Sequence, residues 1–247
     1  MKSRKRELRE VYVWELPVRF FHWVNALCIC VLCVTGFIIA NPPTLMSQVE
    51  ASFSYWFGIV RFIHFATAFV FMFNFIFRIY WAFVGNRYAT WDNYIPLRAR
   101  QWRNVWHVLM TDVLMIRNEE ERSIGHNTVA TLSYLVLLLA AVLQCITGFA
   151  LYAQTSTLPL FQWATWITPL LGDEMNVRIV HHLLTWFFIL FTVIHVYIVF
   201  YHDYIARHGL ISSMIGGWKN IPEDVAEEEE KLEQKERRRS RRAGHAV

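Results

Sequence analysis

An arginine stands three residues ahead of a histidine at three places where a hydrophobic run begins. These are Arg19-Phe20-Phe21-His22, Arg61-Phe62-Ile63-His64 and Arg178-Ile179-Val180-His181. A fourth histidine, His195, follows His181 by fourteen residues in the last run. Ionisable side chains within apolar runs of this kind are costly in lipid and mark function. Imidazole is an axial ligand for haem iron, and a guanidinium one helical turn away can meet a haem carboxylate. The pattern predicts a membrane cytochrome of the b type. Its chemistry would be electron transfer, with no nucleophile or general-base triad to seek.

The elements that must position these residues are long apolar helices. Hydrophobic residues make up 55% of the 247-residue chain, including 11 Trp and 19 Phe, and they are gathered into runs. Four runs reach the roughly 20 residues needed to cross a hydrocarbon core: Phe20–Ala40, Ile59–Val84, Thr128–Ala153 and Ile179–Tyr201. None contains proline. A fifth stretch, Leu158–Leu171, is shorter and holds Pro159 and Pro169, which suits an interfacial or re-entrant segment. The fold class expected is all-α, an integral membrane four-helix bundle holding two b-type haems.

Charge supplies the orientation. Lys2, Arg4, Lys5, Arg6, Arg9 and Arg19 precede the first run, and six arginines lie in the central loop Gly85–Gly125. Nine more basic residues follow Tyr201, whereas Asn41–Gly58 and Gln154–Val177 carry no Lys or Arg. Positive-inside bias predicts that both termini and the central loop are cytoplasmic. The first run has anchor length and no A-x-A-like site after it, so no cleaved signal peptide is expected. Residues 1–221 then form one membrane domain. The tail 222–247 carries the acidic block Glu227–Glu230 and the basic block Arg237–Arg242, a composition that cannot bury a core and favours disorder or a loosely solvated helix. The basic block would attract anionic membrane lipid. Nothing points to a nucleic-acid partner.

Helical geometry pairs the histidines. Fourteen residues advance about 21 Å and rotate to within about 40° of whole turns, so His181 and His195 face nearly the same way, whereas His182 lies about 140° around. One helix can therefore offer a ligand at each side of a core about 30 Å thick. Depth matches His64 with His181 near the external side and His22 with His195 near the cytoplasmic side. The competing reading is that these histidines hydrogen-bond between helices. Arg61 and Arg178 fall on the external side, where charge bias does not account for them. Pairing with haem propionates does, and Arg19 would act likewise, the alternative being arms that snorkel to headgroups.

Other features carry less. All four cysteines, Cys28, Cys30, Cys33 and Cys145, lie in predicted spans. Cys30-Val31-Leu32-Cys33 is C-x-x-C without a following His, so c-type attachment is not indicated. Thr35-Gly36-Phe37 and Thr147-Gly148-Phe149 echo one another, and glycine there permits close approach of a helix or a flat cofactor face. His107, His126, His202 and His208 could line a quinone pocket or relay protons, or serve ordinary surface and capping roles.

Two segments resemble the b-type cytochrome subunit of membrane-bound nickel–iron hydrogenases. One runs from Arg19-Phe-Phe-His22-Trp23-Val24 to Thr35-Gly36. The other is Arg178-Ile-Val-His181-His182-Leu183 followed by Trp186, Phe188, Phe191 and His195. Arg78–Tyr88, Ile124–Asn127 and Thr147–Tyr152 are similar too, and the likeness covers about Val11 to Lys219. The resemblance implies an electron-transfer subunit in the bacterial cytoplasmic (inner) membrane. It would anchor a hydrogenase of large nickel–iron and small iron–sulfur subunits and pass electrons through two b-haems to quinone. It also implies a quinone pocket near the cytoplasmic haem, with His126, Asn127 and Asn104 as candidate polar groups. Two other readings remain open on sequence. One is the equivalent subunit of formate dehydrogenase or a related respiratory oxidoreductase. The other is a haem-free transporter or passive anchor.

Overall fold

The computed structural model describes residues 8–43, 55–86, 88–90, 128–206, 209–227 and 231. The candidate residues Asn104, His107, His126, Asn127 and His208 lie outside them, as do most of the charged tail and the side chain of His202. The elements in chain order are strand β1 (Leu8–Tyr12), helices α1 (Leu16–Ala40), α2 (Trp56–Val84) and α3 (Thr128–Ala153), a 3-10 helix (Pro159–Trp166), α4 (Ile167–Leu171), α5 (Glu174–Ala206), α6 (Leu210–Gly216) and strand β2 (Trp218–Pro222). The chain divides into two compact units.

One unit, Phe20–Val84 with Ser133–Tyr197, contains the histidines. Helices α1, α2, α3 and α5 are each long and apolar enough to span a membrane. Their apolar residues largely face outward: Phe62 and Phe83 are both 71% exposed, and Leu27 and Leu183 are exposed as well. In water such a surface would be a liability, but against lipid it is the expected exterior. The inward residues are smaller and partly polar. Cys28, Phe71, Ala140, Ala141 and Phe188 form one cluster, while Thr35, Asn74, Arg78 and Thr147 are buried polar groups. The four cysteines are free thiols, in keeping with packing roles.

The 158–171 stretch is not a span. Its 3-10 turns and the short α4 pack on the end of α3, where Phe161 stacks on Phe149 at 5.9 Å and meets Tyr152 edge-on at 4.9 Å. Ala150, Ala153, Ala164, Ile167 and Val177 complete that cluster. Helix α5 begins at Glu174, five residues before the apolar run. Asp173 accounts for the difference: its carboxylate accepts from the Asn176 backbone N–H at 2.8 Å, a side-chain cap that adds a polar turn.

The second unit comprises residues 1–19, 85–132 and 198–247. In it β1 and β2 pair antiparallel, from Leu8 opposite Pro222 to Tyr12 opposite Trp218. This pairing was not expected, because Leu8–Tyr12 sits in a basic flank and is too short to show alternation. Tyr12 and Trp218 also make a tilted ring contact at 5.2 Å. The Asn86 side chain donates to the Val13 carbonyl and its backbone N–H donates to Glu15, both at 2.9 Å.

Gly217 closes the strand pair. Its carbonyl accepts from both Val13 and Trp14 N–H, at 2.9 and 3.1 Å. With φ at +91°, a Cβ would lie 2.6 Å from Tyr12 Cε2 and 2.7 Å from the Trp14 carbonyl oxygen. Both the left-handed backbone and the contact exclude a side chain. Gly217→Ala is therefore expected to destabilise this unit by about 1–3 kcal/mol. The check is thermal unfolding of the detergent-solubilised protein with limited proteolysis at the N-terminal segment. Unchanged melting and unchanged cleavage would count against the role given to this residue.

Candidate functional site

Two polar junctions place His64 and His181. Thr35 Oγ1 lies 2.7 Å from the Val31 carbonyl oxygen of its own helix and 2.8 Å from His64 Nδ1. Thr147 Oγ1 repeats this, 2.8 Å from the Leu143 carbonyl oxygen and 2.9 Å from His181 Nδ1. A hydroxyl has a single proton, and in both residues it goes back to the helix carbonyl. With the hydroxyl proton assigned to that carbonyl, each oxygen accepts from the imidazole, an assignment that puts the hydrogen on Nδ1 and leaves Nε2 its lone pair. A separate contact agrees: the Gln144 side-chain Nε2, which can only donate, lies 3.2 Å from His181 Nε2.

The glycines after these threonines let the rings in. A Cβ on Gly36 would stand 3.5 Å from His64 Cε1, and one on Gly148 would stand 3.3 Å from His181 Cε1. The repeated Thr-Gly step on α1 and α3 thus seats one imidazole from α2 and one from α5. His182 points outward and is exposed, in line with the angular argument that favoured His181.

His22 and His195 come together directly. Their ring centroids are 6.4 Å apart with the planes inclined by 54°. Phe191 stacks on His195 at 5.4 Å and 14°, and Trp23 meets His22 edge-on at 5.2 Å. His195 keeps an exposed face. Asn74, buried on α2, donates to the Phe21 carbonyl at 3.0 Å and ties the His22 turn to α2.

The arginines have nearby partners of their own. Arg178 forms an ion pair with Glu174 one turn away on the exposed side of α5. The Arg61 guanidinium lies over the Phe65 ring at 5.8 Å. Arg19, in the other unit, donates to the Ile215 carbonyl. Sequence reasoning passed over a fourth arginine, Arg78, which is buried on α2 with its guanidinium 5.8 Å from the Phe21 ring. Its signal was available, since a charge deep in an apolar run marks function. The threonine hydroxyls were harder to find, because their partners stand 29 and 34 residues away in sequence.

A family model described as prokaryotic cytochrome b561 matches residues 13–217. This chain belongs to that family. Members named "Probable Ni/Fe-hydrogenase B-type cytochrome subunit" are similar over nearly their whole length. The Azotobacter vinelandii protein is 38% identical over 230 residues, covering 90% of this chain and 94% of its own. The Cupriavidus necator protein is 35% identical, covering 87% and 89%. The Escherichia coli K12 protein, named as the hydrogenase 1 subunit, is 33% identical, covering 89% and 95%. The cytochrome b561 chain described here is accordingly a multi-pass membrane protein with an electron-transfer role, and a b-type cytochrome implies haem b.

The residues present fit that group. The His22 and His195 rings approach each other, and the threonine contacts at His64 and His181 leave Nε2 of each free of hydrogen in the Nδ1–H tautomer. The glycine steps let those two imidazoles lie against α1 and α3. Buried polar atoms without a hydrogen-bond partner, His22 Nδ1, Asn25 Oδ1 and Gln144 Oε1, lie on the same helices. In this cytochrome Gly148→Ala is expected to disturb haem retention more than Gly36→Ala, because 3.3 Å forces the His181 ring to shift and 3.5 Å is ordinary contact. Leucine at either position should lower the haem-to-protein ratio sharply. Absorbance of the purified variants checks both statements, and full haem content in both leucine variants would contradict them.

Proposed function

We propose that this chain is the electron-transfer subunit of a hydrogen:quinone oxidoreductase, anchoring a hydrogenase to the membrane and passing its electrons through two b-haems to quinone. The observation that supports a haem site is the approach of the His22 and His195 rings to 6.4 Å, and the repeated Thr-Gly step that seats His64 and His181 in the same helical unit supports a second. Haem b supplies one-electron chemistry when bound, with protein ligands and surroundings setting its potential. His64 with His181, and His22 with His195, would each hold one haem.

The protein's other contributions follow from its polarity. Apolar helix faces exclude water, and Arg61, Arg178 and Arg19 lie one turn from a proposed ligand, where propionate carboxylates could exchange with their present partners. The distribution of Lys and Arg supports cytoplasmic termini in the bacterial inner membrane. His64 and His181 then sit toward the external face, near an iron–sulfur donor subunit, and His22 and His195 toward the cytoplasmic face. The names of the relatives favour nickel–iron hydrogenase large and small subunits as partners over the formate dehydrogenase alternative. Quinone would bind near the cytoplasmic pair, with His126, Asn127 and Asn104 as candidate groups and His126 as a proton carrier.

Pyridine-haem quantification with a reduced-minus-oxidised spectrum tests this reading. The wild-type protein should hold two b-haems per chain, and His64→Ala and His195→Ala should each disturb a different one. One haem or none in undamaged wild-type protein would end the four-ligand assignment. His126→Ala should slow quinone reduction by the intact complex while both haems remain. An unchanged rate would remove that residue from the quinone site.

A further inference from the structure

The two histidine pairs differ in what holds the ring nitrogen opposite the proposed ligand atom. His64 and His181 each present Nδ1 to a threonine hydroxyl, at 2.8 and 2.9 Å. His22 Nδ1 is buried and has no hydrogen-bond partner among the described residues. Neither threonine is a loose surface group: Thr35 is 7% and Thr147 is 2% exposed. Each has its own proton committed to a carbonyl one turn back, which leaves its oxygen only the accepting role.

We propose that Thr35 and Thr147 are positioning residues that hold His64 and His181 in the Nδ1–H tautomer and keep the haem they bind at a lower potential than their removal would leave it. This rests on the reading of His64 and His181 as ligands of one haem. Two physical effects combine. An acceptor on the second ring nitrogen fixes the tautomer and plane of a ligating imidazole and makes it a stronger donor to the metal. Greater donation favours the oxidised iron, whose charge also strengthens the Nδ1–H bond to the hydroxyl, so second-shell hydrogen bonding is a lever on potential. Both His64 and His181 make this contact, whereas His22 Nδ1 has no such partner among the described residues. The Thr-Gly step therefore combines two tasks at consecutive positions, with the hydroxyl orienting the ring and the missing side chain admitting it.

The arrangement has a direction. Lowering the potential of the His64–His181 haem and leaving the other untouched makes transfer from the first to the second more favourable. In the proposed orientation that runs from the donor side toward quinone.

The test is a redox titration of the purified hydrogenase–cytochrome complex carrying Thr35→Val, Thr147→Val, the double valine, and the matching serine variants. Valine keeps the shape and removes the acceptor, while serine keeps the hydroxyl. Each valine should raise the midpoint of one haem by a several-fold shift in its oxidised-to-reduced ratio, tenfold corresponding to about 59 mV for one electron. The double variant should exceed either single, serine should restore the wild-type value, and the second haem should not move. Valine variants with both midpoints and both low-temperature spectra as in wild type would overturn the proposal. If the valine variants lose a haem, retention in the serine variants supports it, and equal loss in both series overturns it in favour of a steric role. Failure of the underlying reading looks different, since His64→Ala would then leave both haems in place.

Discussion

A polar atom in a lipid-spanning helix has no water to turn to, and its partner must come from within the protein. That constraint organises the histidine-bearing unit. Thr35 and Thr147 meet it by serving two helices at once, donating to a carbonyl of their own and accepting from an imidazole of another. Asn74 meets it by reaching the Phe21 carbonyl, and Gln144 by reaching both His181 and Thr185 Oγ1. Apolar contacts between helices discriminate weakly when the surrounding lipid is equally apolar. The few polar bridges therefore fix α1 against α2 and α3 against α5 beside the imidazoles.

The asymmetry between the two pairs follows from where such bridges are spent. At His64 and His181 each ring nitrogen facing a helix is satisfied, and glycine sets how near the ring can come. At His22 and His195 the rings meet each other and aromatic neighbours, with Phe191 and Trp23 as their walls. One pair is held chiefly by hydrogen bonds and the other by packing. A protein that uses the same side chain four times can differentiate the copies only through such surroundings.

Much of this was legible in the chain itself. Long proline-free apolar runs announce their own helices, because length and hydropathy are properties of single segments. Angular arithmetic on one helix likewise separated His181 from His182. What could not be read was anything that depends on a partner distant in sequence. The Thr-Gly-Phe repeat was visible, yet the task of its hydroxyls required knowing which helix would lie alongside. Arg78 was visible and passed over, its buried setting being a matter of packing. The strand pair β1–β2 escaped notice because five residues in a charged flank show little period, and register is a property of two segments together. The central loop beyond residue 90, with its candidate quinone residues, lies outside the described residues.

The pairing of Leu8 with Pro222 joins the beginning of the polypeptide to a segment made after the last membrane-spanning helix. Synthesis runs in one direction, so β1 leaves the ribosome first and has no partner until α5 and α6 have followed. Contacts of such long sequence separation are closed late and slowly. The hydrogen bonds that Gly217 accepts from Val13 and Trp14 therefore form only after the last membrane-spanning helix has been made. A product cut short anywhere before residue 218 would carry an unpaired strand edge at its N-terminal end, the kind of feature that exposes an unfinished protein to aggregation or removal. The small sheet thus closes only when every helix that carries a proposed ligand histidine has been made.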